Sequence, residues 1–64
     1  MDRNVITLNP NDYDNVINVI KQAKENNAVT LTLFEYLSSS TDRVCATIEY
    51  KDKMDYITIR ETED

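Results

Sequence analysis

The chain has 64 residues, with twelve acidic and seven basic side chains for a net charge of −5, one cysteine, and neither histidine nor glycine. Without glycine it has no glycine-rich phosphate loop or dinucleotide fingerprint, and without histidine it has no catalytic triad and no imidazole that titrates near neutral pH. The excess of acids opposes direct binding to DNA, RNA or anionic lipid.

The length predicts one small domain over residues 1–64, which buries only roughly 60% of its unfolded surface. Domains of this size usually gain stability from disulfides, metal ions or self-association, and a single cysteine without histidine favours self-association. We therefore expect a homodimer. No apolar run approaches the ~20 residues of a membrane span and no signal segment opens the chain, so the sequence predicts a soluble cytoplasmic protein without a cofactor.

The first predicted elements are a short strand over residues 3–8 and a helix. Asn9 is expected to be the N-cap, and the Asp12 carboxylate is expected to bind free amides in a capping box. Asn26 and Asn27 are expected to end the helix, because asparagine tolerates the left-handed backbone conformation.

Apolar residues recur along this helix at spacings of three and four and predict the face that packs on the sheet. The stripe consists of Tyr13, Val16, Ile17, Ile20 and Ala23. Val19 is expected to lie off the edge of this stripe. The residues expected to face water are Asn15, Asn18, Gln22 and Glu25.

Residues 28–37 predict the central strand, because apolar and threonine-rich positions alternate there with a period of two. One face carries Val29, Leu31, Leu33 and Leu37. The other carries Thr30, Thr32, Phe34 and Tyr36.

Two further strands are predicted over residues 43–51 and 54–61, after a polar loop at 38–42 and around a tight turn at 51–53. In the first of them Val44, Ala46, Ile48 and Tyr50 are expected to point inward, with Cys45, Thr47 and Glu49 outward. In the second, Ile57 and Ile59 share one face, with Tyr56, Thr58 and Arg60 on the other.

This order predicts an α+β fold of the form β-α-β-β-β. One helix packs on a four-stranded, mostly antiparallel sheet in two layers. Short loops favour an antiparallel meander for the last three strands, and a right-handed crossover favours parallel pairing of the first strand at one edge.

The sequence favours a protein without catalytic activity. Cys45 has no base partner and lies in the middle of a strand. The Asp12 and Asp14 pair is typical of helix-terminus electrostatics rather than of a glycosidase.

Two sets of residues are candidates for binding by contact. The first lies on the sheet face opposite the helix and consists of Phe34, Tyr36 and Tyr56, since exposed aromatic residues are enriched at interfaces. An ordinary wetted surface is the simpler interpretation, but three aromatic residues on one small sheet favour contact.

The second set is anionic. Its members are Asp12, Asp14, Glu49, Asp52, Asp55, Glu61 and Glu63. Glu61 and Glu63 in an extended strand would stand about 6.5–7 Å apart, close to the spacing of phosphates along a DNA strand. A solvated charge run at the chain end is the simpler interpretation of the tail alone.

These features lead to two hypotheses. In the first, the chain blocks a basic, nucleic-acid-binding host protein by imitating DNA, and in its general composition it is similar to the short inhibitors of phages and other mobile elements. That likeness covers no motif. In the second, the chain is a homodimeric adaptor that binds a partner protein through the open sheet face or an edge strand.

Overall fold

The computed structural model describes residues 5–63 and contains one helix and one antiparallel sheet. A 3₁₀ turn over Pro10–Asp12 leads into helix α1, Tyr13–Glu25. The strands are β1, Thr30–Leu37, β2, Thr41–Glu49, and β3, Met54–Glu63, in the spatial order β1-β2-β3. The α+β class and the antiparallel meander are confirmed.

The predicted first strand is not confirmed. Residues 5–8 form no strand, and the start of the predicted element, at Arg3 and Asn4, lies outside the described residues. The segment is held mainly through side chains: Ile6 and Leu8 pack against the core, and the Arg60 guanidinium donates to the Thr7 carbonyl oxygen at 2.9 Å. The sheet therefore has three strands within residues 5–63.

The ends of the helix follow the predicted chemistry. The Asn9 amide donates to Asp12 Oδ2 at 2.8 Å, which satisfies one of the free amides at the start of the helix. At the other end the Asn26 amide donates to the Gln22 carbonyl, and Asn27 takes a φ of 57°. Asparagine performs the role of the usual C-terminal glycine in a chain that has none.

The helix buries only part of the predicted stripe. Ala23 is buried and Val16 packs against the core, as predicted. Val19, which the periodicity places off the edge of the stripe, is also buried. Val19 and Ala23 are 5% and 8% exposed, whereas Tyr13, Ile17 and Ile20 are 51%, 50% and 48% exposed. Two polar contacts fix this rotation. Asp12 binds Arg60, and the Asn15 side-chain amide donates to the carbonyl of Ile59 at 3.2 Å.

The core lies between the helix and the centre of the sheet. Val44, Ala46 and Ile48 are fully buried, as predicted, and Leu31, Leu33, Tyr50 and Ile57 pack around them. Val29 and Leu37 were predicted to face inward, but they are 71% and 68% exposed. They lie just before the start and at the end of β1, and a helix of 13 residues covers only the middle of the sheet.

A β-bulge interrupts β3. Val44 pairs with Arg60 and the next residue, Cys45, pairs with Thr58, so Ile59 has no partner on β2. The extra residue turns Ile59 and Arg60 towards the same side of the sheet, which is the side of the helix. The prediction that Arg60 faces away from Ile59 is therefore wrong, because alternation along the strand restarts at the bulge.

Candidate functional site

The sheet face opposite α1, here called the open face, carries the predicted aromatic residues. Tyr36 and Tyr56 are 59% and 57% exposed, and Phe34 is half-buried. The rings of Phe34 and Tyr56 meet edge to face, with their centroids 5.9 Å apart and their planes at 62°. Phe34 and Tyr56 thus form one aromatic pair. Together with Tyr36 they present apolar ring surface and hydroxyl groups on the open face.

Cys45 lies on the open face, as predicted, but it is fully buried. The Tyr56 hydroxyl donates to Cys45 Sγ at 3.2 Å, and Phe34 pairs with Cys45 across the strands. This hydrogen bond and partial burial raise the pKa of Tyr56 above its ordinary value. The aromatic pair therefore has a structural role, because it covers the thiol.

The structure divides the predicted anionic residues into three places. Glu49, Asp52 and Asp55 surround the turn between β2 and β3, since Glu49 pairs with Met54. Glu61 and Glu63 lie at the opposite end of β3, and Asp14 lies in the first turn of α1. At the two strand ends Glu49, Asp52 and Glu63 are exposed, Asp55 is half-buried, and the Glu61 carboxylate binds Arg43.

Asp12 is separate from the other acids. It is only 3% exposed, and its Oδ2 accepts hydrogen bonds from the Asn9 amide and from Arg60 Nε at 3.0 Å. Its charge is used inside the molecule, so it does not belong to the solvent-facing acids.

Basic residues neutralise only part of the acidic charge of the sheet. Arg43 binds Glu61 at 2.7 Å on the open face, and the hydrogen bond and charge of Glu61 raise the pKa of Arg43. Lys53 lies 4.9 Å from the centre of the Tyr50 ring in the turn. Residues 30–63 hold seven acids against four bases, whereas residues 5–29 hold three acids against two bases. Most of the net negative charge is therefore on the sheet.

A polar cluster that the sequence did not indicate lies around Arg60. The guanidinium binds Asp12, the Asp42 carboxylate at 3.2 Å and the Thr7 carbonyl. Burial acts to lower the pKa of Arg60, but the hydrogen bonds and charges of Asp12 and Asp42 raise it overall. Periodicity could not reveal this cluster, because its members come from four separate parts of the chain.

Glu35 belongs to the same cluster. A hydrogen bond to Asp42, followed by burial and the charge of Asp42, raises the pKa of Glu35 above its ordinary value. Asp42 Oδ1 is buried and has no hydrogen-bond partner within the described residues. When Glu35 is protonated, its carboxyl group can donate to the Asp42 carboxylate beside the Arg60 cation.

An open cleft with a volume of about 340 Å³ lies beside β1. Val5 and Ile6 line one side, and Leu33, Phe34 and Leu37 line the other. Glu35 is the titratable side chain in this lining. Among residues 5–63, no three acidic, cysteine or histidine side chains are placed to share a metal ion.

No protein-family model matches the sequence, and no curated protein and no solved structure is significantly similar to the chain. Within residues 5–63, no helix combines the length and the apolar character needed to cross a membrane.

Proposed function

We propose that this chain is a non-catalytic acidic protein that occupies the DNA-binding surface of a basic, nucleic-acid-binding host protein. The supporting observation is that four carboxylates of the predicted anionic set are exposed and form no salt bridge within residues 5–63, three of them on or beside a sheet with net negative charge. They are Asp14, Glu49, Asp52 and Glu63. Charges that point into water remain available to lysines and arginines of a partner.

The spacing of these acids supports imitation of a duplex. Asp52 lies in the turn just before β3 and Glu63 is the last residue of the strand, which at ~3.3 Å per residue spans about 30 Å between them. That separation is close to one turn of B-DNA, about 34 Å. A protein that contacts phosphates one turn apart would meet a carboxylate at each position. Glu61 and Glu63 both belong to β3. The prediction that they stand at phosphate spacing therefore concerns the end of the strand that is far from the turn.

The partner would be a protein whose own ligand is DNA. A nucleoid-associated protein, a polymerase or a defence nuclease has the required basic surface. The inhibitor would act in the cytoplasm and would originate from a phage or another mobile element.

The test measures binding of the purified chain to representatives of these three classes, at ~50 mM and ~200 mM salt and with or without duplex DNA. We expect the affinity to fall about tenfold or more over this range, because several exposed charge pairs are screened. We also expect DNA and the chain to exclude each other from the target.

Glu63→Gln and Glu25→Gln form a matched pair, since each removes one exposed carboxylate, the first on β3 and the second at the end of α1. Glu63→Gln should weaken binding several-fold and Glu25→Gln should leave it unchanged. A ternary complex with DNA still bound, or binding that salt does not weaken, would rule out DNA mimicry.

The second candidate is a homodimeric adaptor that binds a partner protein through the open face or through an edge strand. The exposure of Tyr36, Tyr56 and Met54 on this face favours it. Tyr36→Ala and Tyr56→Ala separate the two functions. If these changes abolish binding while Glu63→Gln has no effect, the adaptor function is correct and the inhibitor function is wrong.

A further inference from the structure

The rotation of α1 leaves an apolar stripe on the outside of the helix. Tyr13, Ile17 and Ile20, at spacings of four and three, lie on one side of the helix, and about half of each side chain is exposed. Together with the stems of the neighbouring lysines they expose on the order of 400 Å², the size of the largest patch on a typical monomer, which is often functional. We call this surface the helix stripe.

Charges of opposite sign lie beside the helix stripe, at different points along the helix axis. Asp14 and Lys21 are seven residues apart and therefore lie on the same flank, about 10 Å from each other along the axis. This distance is too long for a pair within one helix. Within residues 5–63, Asp14, Lys21 and Lys24 take part in no salt bridge.

We propose that the helix stripe binds the helix stripe of a second copy of this chain, with the two helices antiparallel around a two-fold axis. In such a pair each flank meets the same flank of the other copy in the reverse direction. Asp14 of each copy then meets Lys21 of the other, so one geometry forms two ion pairs. Ile17, midway between them, lies at the axis and contacts its counterpart.

The distribution of charge favours a second copy on this surface over the alternatives. The exposed charges of α1 are Asp14, Glu25, Lys21 and Lys24, which sum to zero, whereas the sheet is negative. Two acidic molecules therefore repel each other least when their helices meet. The dimer also leaves both open faces free, so the proposal holds whichever partner the sheet binds.

The expected interface is small. It buries about 800 Å² in total, at the weak end of specific association, so dimers should form only at high concentration. Sedimentation velocity of the purified chain from about 10 µM to 1 mM should show a reversible monomer–dimer equilibrium. A chain that stays monomeric over this range would overturn the proposal.

Variants of exposed residues locate the interface without disturbing the core. Ile17→Gln should raise the dimer dissociation constant at least tenfold. Leu37→Gln is the matched control, because Leu37 is 68% exposed on the sheet and should have no effect. If Leu37→Gln or Tyr36→Gln dissociates the dimer while Ile17→Gln does not, the interface lies on the sheet and the proposal is wrong.

A charge exchange tests the antiparallel arrangement. Lys21→Glu alone and Asp14→Lys alone should each weaken the dimer several-fold, because like charges then face each other. The double variant Asp14→Lys, Lys21→Glu should restore the wild-type constant. A double variant as weak as the two single ones would overturn the antiparallel arrangement.

Discussion

Arg60 connects parts of the chain that are far apart in sequence. Its three guanidinium nitrogens bind Asp12 at the start of the helix, Asp42 on β2 and the carbonyl of Thr7. Asp12 is the most buried partner, with a side chain 4% exposed. A buried carboxylate is tolerated here because a cation and an amide both donate to it.

Replacing Asp12 by alanine is therefore expected to destabilise the fold. The change leaves Arg60 half-buried without its most buried partner and removes the capping contact to Asn9, which should cost about 3 kcal/mol of unfolding free energy. Asp14→Ala is the control, since it removes the same charge from an exposed position one residue into α1 and should cost less than about 1 kcal/mol. Urea titrations followed by circular dichroism measure both. Equal costs would mean that the buried contact does not stabilise the protein.

Glu35 gives a prediction on pH. Its pKa is raised in the folded protein, first by the hydrogen bond to Asp42, so the folded state favours the protonated form. The stabilising contribution is fully present below the pKa of the unfolded chain and is lost as the pH rises through the folded pKa. Glu35→Gln keeps a donor without the charge, so it should stabilise the protein at pH 7.

The gain from Glu35→Gln should shrink as the pH falls below about 4, where wild-type Glu35 is protonated in both states. Urea titrations at pH 7 and at pH 3.5 provide the comparison, with Glu25→Gln as a control for an exposed carboxyl group. A gain that does not change with pH would show that Glu35 and Asp42 share no proton.

At the scale of elements, the sequence predicts the features that depend on neighbouring residues, such as the ends of the helix. Asn9, Asp12 and Asn27 act within one turn of their neighbours, and the helix ends lie where these residues indicate. The rotation of the helix depends instead on contacts across 48 residues, from Asp12 to Arg60, and across 44 residues, from Asn15 to Ile59. No periodic pattern contains such contacts.

The candidate site likewise has one part that the sequence predicts and another that it does not. The alternation of side chains along β1 and β3 is enough to predict that Phe34 and Tyr56 share one face, and their rings do meet there. The burial of Asp12 and the cluster around Arg60 depend on the bulge at Ile59, and a bulge inside an uninterrupted β-branched stretch has no local signal.

The orientation of the helix predicts different stability costs for truncating Val19 and Ile17. Val19→Ala should cost about 2 kcal/mol, because it removes two buried methyl groups and leaves a cavity. Ile17→Ala removes more carbon but from a half-exposed position, and it should cost below about 1 kcal/mol at concentrations where the chain is monomeric. Thermal or urea unfolding at about 10 µM distinguishes them. The opposite ranking would support the stripe that the sequence alone predicts.

At the scale of the whole molecule, the acidic sheet and the neutral helix have separate uses. If two helices associate, the folded state gains stability with protein concentration, since only folded chains present the stripe. The melting temperature of the wild type should rise by about 5 °C between 10 µM and 1 mM. Ile17→Gln should show no rise. Equal behaviour of the two proteins would exclude a dimer through the helix.

The bulge in β3 also affects how relatives of this chain can be detected. The inside–outside pattern of the strand has one phase before Ile59 and the opposite phase after it. A relative with the same number of residues but without the bulge would align without a gap, yet the last four residues of its strand would exchange sides. Carboxylates that here face solvent would then point under the helix, and such a protein would share the fold while presenting a different outer surface.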